Sequence, residues 1–232
     1  EDWRRHMNTY YYGYRSQKET YKEMGEVISF PLKKVQSAMF YEDSSQIAIL
    51  GRLDKGRGDI SLIIADRDTS QERKRFEKWE EAINKLKEKK KKTKKDALAI
   101  NKKYKTKILW DKNEVDYGRF HGNMTWSFDG NKLAYTKYHF GENQSLVFDI
   151  KIYDKDSDKH FWLTKSKRAS YPIWIDSNKV AYVSHYNSVS NIFISDLNGQ
   201  EVTNLTGFTD NTQITYLAIS PDRDQVAFAM NP

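Results

Sequence analysis

Hydrophobic positions in this chain follow two periods. In KLAYTKY (132–138), Leu133 and Tyr135 alternate with Lys132 and Lys137, the two-residue period of a half-buried strand. The run is led in by an aromatic or Ile and an Asp-containing turn, and the whole package occurs four times: FYEDSSQIAI (40–49), WSFDGNKLAY (126–135), WIDSNKVAY (174–182) and ISPDRDQVAF (219–228). A second apolar run follows each of the first three: DISLIIADRD (59–68), FDIKIYDKDS (148–157) and NIFISDLNGQ (191–200). A third closes them: KILWD (107–111), HFWLT (160–164) and VTNLT (202–206). Each unit therefore predicts four short strands joined by tight turns. Asp129-Gly130 marks one such turn, because Gly takes a positive φ without steric cost.

The units open at 126, 174 and 219, a spacing of about 45 residues, which is that of one β-propeller blade. The interval from 40 to 126 is nearly double. The excess falls at 69–106, where the period changes: Phe76, Trp79, Ile83 and Leu86 form one stripe of an amphipathic helix. The predicted architecture is all-β: a propeller of four-stranded antiparallel blades over 27–232, three of them whole and a fourth begun, with a helical insertion at 69–106 in the first blade. Propellers close with about four to eight blades, so the natural chain is expected to extend past Pro232 or this piece to be a fragment. Residues 1–26 read as a helical tail of an upstream domain or a linker, with Trp3, Met7, Tyr10, Tyr14 and Tyr21 at loosely helical spacing.

These units resemble the TolB-type β-propeller repeat, W-S-P-D-G followed by an apolar strand and a closing L-T. Trp126-Ser127-Phe128-Asp129-Gly130, Ile219-Ser220-Pro221-Asp222, Leu163-Thr164 and Leu205-Thr206 carry the match. The first unit departs from it with Glu42-Asp43-Ser44-Ser45 at the turn and no Trp; the third lacks the Gly. The resemblance implies a non-catalytic scaffold that binds protein or peptide in an exported bacterial protein, periplasmic or extracellular. More faintly, the amino-terminal tail is similar to the segment after the zinc-peptidase domain in exported peptidase-plus-propeller proteins. That implies an accessory, substrate-positioning role.

Charge sharpens the picture of the insertion. The chain carries a net +7, yet residues 71–107 alone hold 16 Lys and Arg against 6 Asp and Glu, and the rest is net −3. The basic character belongs to the insertion. Lys89, Lys90, Lys91, Lys92, Lys94 and Lys95 are candidate anion contacts; otherwise they are a solvated helical tip. Nucleic acid is not the expected partner. No run of about 18 apolar residues is present to span a membrane.

Catalytic chemistry is harder to place. There is no Cys, which removes thiol catalysis and Cys-ligated metal. The chain lacks H-E-x-x-H, G-x-S-x-G, P-loop and G-x-G-x-x-G motifs. DKDSDK (154–159) imitates a calcium loop but has Lys159 where Gly is needed and Lys165 in place of the closing Glu, so it reads as a hairpin turn. No cofactor is expected. The innermost strands, taken as SAMF (37–40), NMTW (123–126), YPIW (171–174) and TYLAI (215–219), carry no charge. Candidate binding residues therefore fall on the face formed by the second-to-third-strand and blade-to-blade loops: Arg52, Asp54, Arg57, His121, His139, Arg168, His185, Tyr186 and Asp210. Trp126, Asp129, Gly130, Trp174, Pro221 and Asp222 are expected to build the repeat. The insertion, in a third-to-fourth-strand turn, belongs to the opposite face.

Overall fold

The structure is a computed structural model that describes residues 2–16, 28, 30–56, 58–88, 93–104, 110–200 and 202–231. The chain divides into two compact units, Glu1–Pro31 and Leu32–Pro232. The first holds one helix, α1 (Asp2–Ser16). Its Trp3, Tyr10, Tyr11, Tyr12 and Tyr14 are exposed; Tyr21 lies outside the described residues.

The second unit is a succession of antiparallel sheets in which chain neighbours are sheet neighbours. The first contains β1 (Leu32–Phe40), β2 (Gln46–Leu53), β3 (Ile60–Arg67) and β4 (Trp110–Gly118). The next is β5 (Phe120–Trp126), β6 (Lys132–Phe140), β7 (Leu146–Asp154) and β8 (Lys159–Trp162). The third is β9 (Ala169–Trp174), β10 (Lys179–Tyr186), β11 (Val189–Asp196) and β12 (Val202–Asn204). A hairpin of β13 (Gln213–Ile219) and β14 (Val226–Asn231) follows. These are three blades and the opening of a fourth. Between β3 and β4 stand α2 (Thr69–Glu88) and α3 (Lys94–Tyr104).

Alternation along each strand sends its two sets of side chains to two neighbouring blades. One core joins Ala48, Leu50, Leu62 and Ile64 of the first blade to Met124, Trp126, Leu133 and Tyr135 of the second. The next joins Ala134, Ile150 and Ile152 to Trp174, Val180 and Tyr182, and the last joins Ala181, Val183 and Ile192 to Ile214 and Leu217. The repeated Ala is fully buried at 48, 134 and 181. The Asp of each hairpin turn is a local staple: Asp129 accepts from Ser127 Oγ (2.6 Å) and Asn131 N (3.0 Å), and Asp176 from Asn178 N and Lys179 N (both 2.7 Å). Gly130 sits at φ 71° in its turn.

The closing L-T has a physical meaning. Thr164 Oγ1 accepts from Ile150 N (3.0 Å) and donates to the buried Asp149 (2.9 Å). Thr206 does the same with Ile192 N and Asn191 (both 2.9 Å). A hydroxyl that both accepts and donates ties the end of the fourth strand to the third.

Two expectations are corrected. The fourth strand of the first blade is Trp110–Gly118 and not KILWD, of which 107–109 lie outside the described residues; its exposed polar side chains hid it from a search for apolar runs. The innermost strands also begin earlier, so that Lys33, Lys34 and His121 stand on them. Each innermost strand contains a register shift, at Val35/Ser37, His121/Met124, opposite Ala181/Val183, and at Ile214/Tyr216. A bulge breaks the strict alternation on which the shorter limits rested.

Candidate functional site

The bulges are where the candidate site takes shape. Gly122 (φ 67°) and Tyr171 (φ 54°) both take left-handed backbone inside innermost strands. A Cβ at residue 122 would meet the Tyr171 ring at 3.4 Å, an ordinary contact, so it is the left-handed backbone that calls for Gly there. Tyr171 has no such freedom, and a bulky residue with that φ is held by its surroundings at a cost of roughly 1–3 kcal/mol.

The bulges bring six rings together. His121 stacks on Phe148 at 4.8 Å between centroids, and Tyr138 and Tyr171 meet His121 edge-on at 6.0 and 6.1 Å. His185 meets Phe148 edge-on at 5.9 Å, and Tyr216 lies 6.3 Å from Tyr171. The rings come from β5, β6, β7, β9, β10 and β13; His121, Tyr138, Phe148, Tyr171 and His185 lie in the loop-face half of their strands and Tyr216 in the middle of its own. His121, Tyr138, Phe148, Tyr171 and His185 are half-buried and Tyr216 is exposed.

His185 Nδ1 stands 2.8 Å from the buried Ser190 Oγ, which stands 3.3 Å from Gln213 Oε1. Gln213 Nε2 donates to Ser188 O at 2.6 Å, which turns its carbonyl oxygen toward Ser190. An oxygen without hydrogen must be given one, so the consistent chain runs from His185 Nδ1–H to Ser190 and from Ser190 O–H to Gln213. Burial pushes the His121 pKa down. It does the same to His185, with Gln213 raising it and the charges of His121 and Arg168 lowering it further.

The other candidates fare differently. His139 Nε2 donates to buried Asp149 at 2.7 Å and its ring lies 4.2 Å from that of Trp162; it belongs to the clamp that holds Thr164. Arg168 is exposed at φ 50° in the loop before β9. Tyr186 is exposed at the end of β10, Asp210 hydrogen-bonds Thr212, and Arg52 and Asp54 are exposed at the end of β2 and just beyond. Arg57 lies outside the described residues. The structure thus brings His121 and His185 together and leaves Arg52, Asp54, His139 and Tyr186 apart from them. The sequence reading did not single out Tyr138, Phe148, Tyr171 or Tyr216, which sit in their strands as ordinary aromatic residues. Among the described residues no three His, Asp or Glu converge on a metal position.

At the opposite end of the innermost strands is a cavity of about 250 Å³. Phe40, Trp126, Phe128, Trp174 and Ile219 line it with Arg223, whose guanidinium lies 3.3 Å from the centre of the Phe128 ring and 3.3 Å from Glu42.

Of the Lys-rich insertion, α2 and α3 pack mainly on each other. Trp79 Nε1 donates to Asn101 at 2.8 Å, and Thr93 and Asp96 form a reciprocal cap. Only Leu86 is buried in α2, and nothing in α3. Lys94 and Lys95 are exposed; Lys89, Lys90, Lys91 and Lys92 lie outside the described residues.

No family model and no curated protein matches the sequence. Solved structures do match. TolB from Acinetobacter baumannii aligns with 86% of this chain and 38% of its own, at a TM-score of 0.53 and 14% identity. Putative TolB from Agrobacterium tumefaciens aligns with 86% of this chain and 56% of its own, at 0.53 and 17%. A Mycobacterium tuberculosis puromycin-hydrolysing peptidase aligns with 86% of this chain and 28% of its own, at 0.54 and 11%. At such identities the likeness is one of fold, and the chain spans only part of each. The three sheets and the hairpin have the β-propeller fold seen in these TolB structures, as three blades and the opening of a fourth.

Proposed function

We propose that this chain is a non-catalytic binding module that holds a protein or peptide on the loop face of its propeller. One observation carries the reading. Three innermost strands and their neighbours deliver His121, Phe148, Tyr171, His185 and Tyr216 to one place, and the strained backbone of Tyr171 holds its ring there. Partly exposed aromatics on rigid strands are the anchors of protein interfaces. No Ser, His and acid in this cluster stand as nucleophile, base and orienting group, since Ser190 is fully buried.

The test is selection of binders from a random peptide library on the intact chain. Tyr216→Ala should weaken the selected peptides about tenfold or more, while Phe128→Ala on the opposite face leaves them unchanged. Peptides insensitive to Tyr216→Ala would reject the loop face.

A second reading draws on the fold shared with the Mycobacterium tuberculosis peptidase. The module would present substrate to a hydrolase in the same exported protein, using the same face. Fusion to or co-purification with a peptidase, and a change in its cleavage pattern on Tyr216→Ala, would distinguish this role.

A further inference from the structure

The loop-face cluster is rich in unspent hydrogen-bond donors. His121 makes ring contacts only, with no hydrogen bond from either ring nitrogen among the described residues, and His185 commits Nδ1 alone. The hydroxyls of Thr136 and Ser170 are buried without a hydrogen-bond partner among the described residues. Thr136 is the cross-strand partner of His121, so the two side chains share a face; Ser170 directly precedes Tyr171.

The charges around the cluster have one sign. Arg168 acts on His185 and has no carboxylate within ion-pair distance among the described residues. The acids on neighbouring elements are already engaged: Asp149 by His139, Thr164 and Lys167 N, and Asp210 by Thr212. Tyr138, Tyr171 and Tyr216 are the remaining titratable groups of the cluster.

We infer that this cluster is a carboxylate-binding site, for an acidic side chain or the terminal carboxylate of a peptide, and that it binds more tightly as the pH falls. The inference rests on the loop-face reading above. A carboxylate takes hydrogen bonds from His185 Nε2 and from His121, with the aromatic rings around its apolar stem. Protonation adds charge where nothing in the cluster offsets it, so the free site resists it and the occupied site welcomes it. The Gln213–Ser190–His185 chain keeps its donor direction when His185 is charged, because the second proton goes to Nε2.

The experiment uses the intact chain and two fluorescent peptides, one alternating Glu with Phe and one alternating Lys with Phe. Affinities are measured at about pH 7.5 and about pH 5.5, on either side of an ordinary histidine pKa, and histidine ring protons are followed by NMR. The Glu peptide should bind at least about fivefold tighter at the lower pH, and its presence should raise the titration midpoints of His121 and His185 by roughly half a unit or more. His160, held by Tyr135 and Val115 O between the first two blades, should not move. Arg168→Gln, at an exposed position, should weaken the Glu peptide at both pH values. His185→Gln should flatten the pH ratio. Binding of the Lys peptide with loss on Tyr216→Ala would keep the loop face and overturn the carboxylate. Unmoved His121 and His185 signals, or no binding of either peptide, would overturn the inference as well.

Discussion

The indole N–H of Trp174 donates to the main-chain carbonyl of Thr125, 3.2 Å away in the innermost strand of the preceding blade. Trp126 makes the same bond one blade earlier, to Met39 O at 3.3 Å. The Trp of the repeat therefore does two things at once. It fills the core between blades and fixes the height of one innermost strand against the next. Ile219, at the same place in the fourth unit, has no donor for such a bond.

Trp174→Phe keeps an aromatic in the core but leaves Thr125 O without its partner. The expected loss is about 2 kcal/mol, against about 3–5 kcal/mol for Trp174→Ala. Urea denaturation followed by fluorescence measures both. Equal losses would mean that the bond contributes nothing beyond packing.

Thr164 and Thr206 make matching clamps, but one partner is the carboxylate of Asp149 and the other the amide of Asn191. Hydrogen bonds to a charged group are roughly twice as strong as neutral ones. Thr164→Val should therefore cost about 2–3 kcal/mol and Thr206→Val about 1 kcal/mol. The comparison of the two midpoints, made in one chain, checks the order directly.

Asp116 of β4 is the polar pin between the first two blades. Its carboxylate accepts from Lys137 Nζ (2.6 Å), Tyr135 Oη (2.7 Å) and Lys151 Nζ (2.9 Å). Burial opposes its ionisation, but these hydrogen bonds outweigh burial and hold the pKa at about 2. A carboxyl whose folded pKa is depressed below its unfolded value stabilises the fold above the unfolded pKa. That contribution, about 2 kcal/mol, is present above about pH 4 and fades as the pH falls through about 2. Asp116→Asn should lower stability at neutral pH and remove this share of the acid dependence. A stability curve from pH 6 to pH 2 that is parallel in both proteins would contradict the assignment.

Much of this fold was legible because its repeat is built from local chemistry. Asp129 and Asp176 staple their own turns, and Leu133 and Val180 alternate with polar residues, so composition and spacing reveal them without tertiary information. β4 was illegible for the opposite reason: Asp116 is satisfied by Lys137 and Lys151 from another blade, and its exposed neighbours carry no apolar period. The loop-face cluster was half legible. His121 and His185 stood out as residue types, whereas Phe148 and Tyr216 looked like ordinary strand residues. What joins them is a set of bulges, and a bulge depends on register between strands that a single strand does not record.

The paired helices α2 and α3 yield a prediction of a different kind. They bury almost nothing, yet they are capped, joined by the Trp79–Asn101 hydrogen bond, and lie in the segment that carries +10 of the chain's charge. Most acidic residues of the segment lie between 72 and 81, where Glu72, Glu77, Glu80 and Glu81 offset Arg73, Lys74, Arg75 and Lys78. The excess is therefore concentrated over 85–95 of the sequence, where Lys94 and Lys95 are exposed. Lys residues at an exposed tip attract polyanions through long-range charge, with little geometric selectivity. Lys94→Glu combined with Lys95→Glu should move elution from a heparin column to clearly lower salt and reduce affinity about tenfold at low ionic strength. Stability should stay within about 0.5 kcal/mol, because both side chains are exposed. Since the tip charges lie outside the ring cluster, the same double substitution should leave the His121 and His185 titrations unchanged, and an unaltered elution position would dismiss the anion contact while leaving the loop-face site standing.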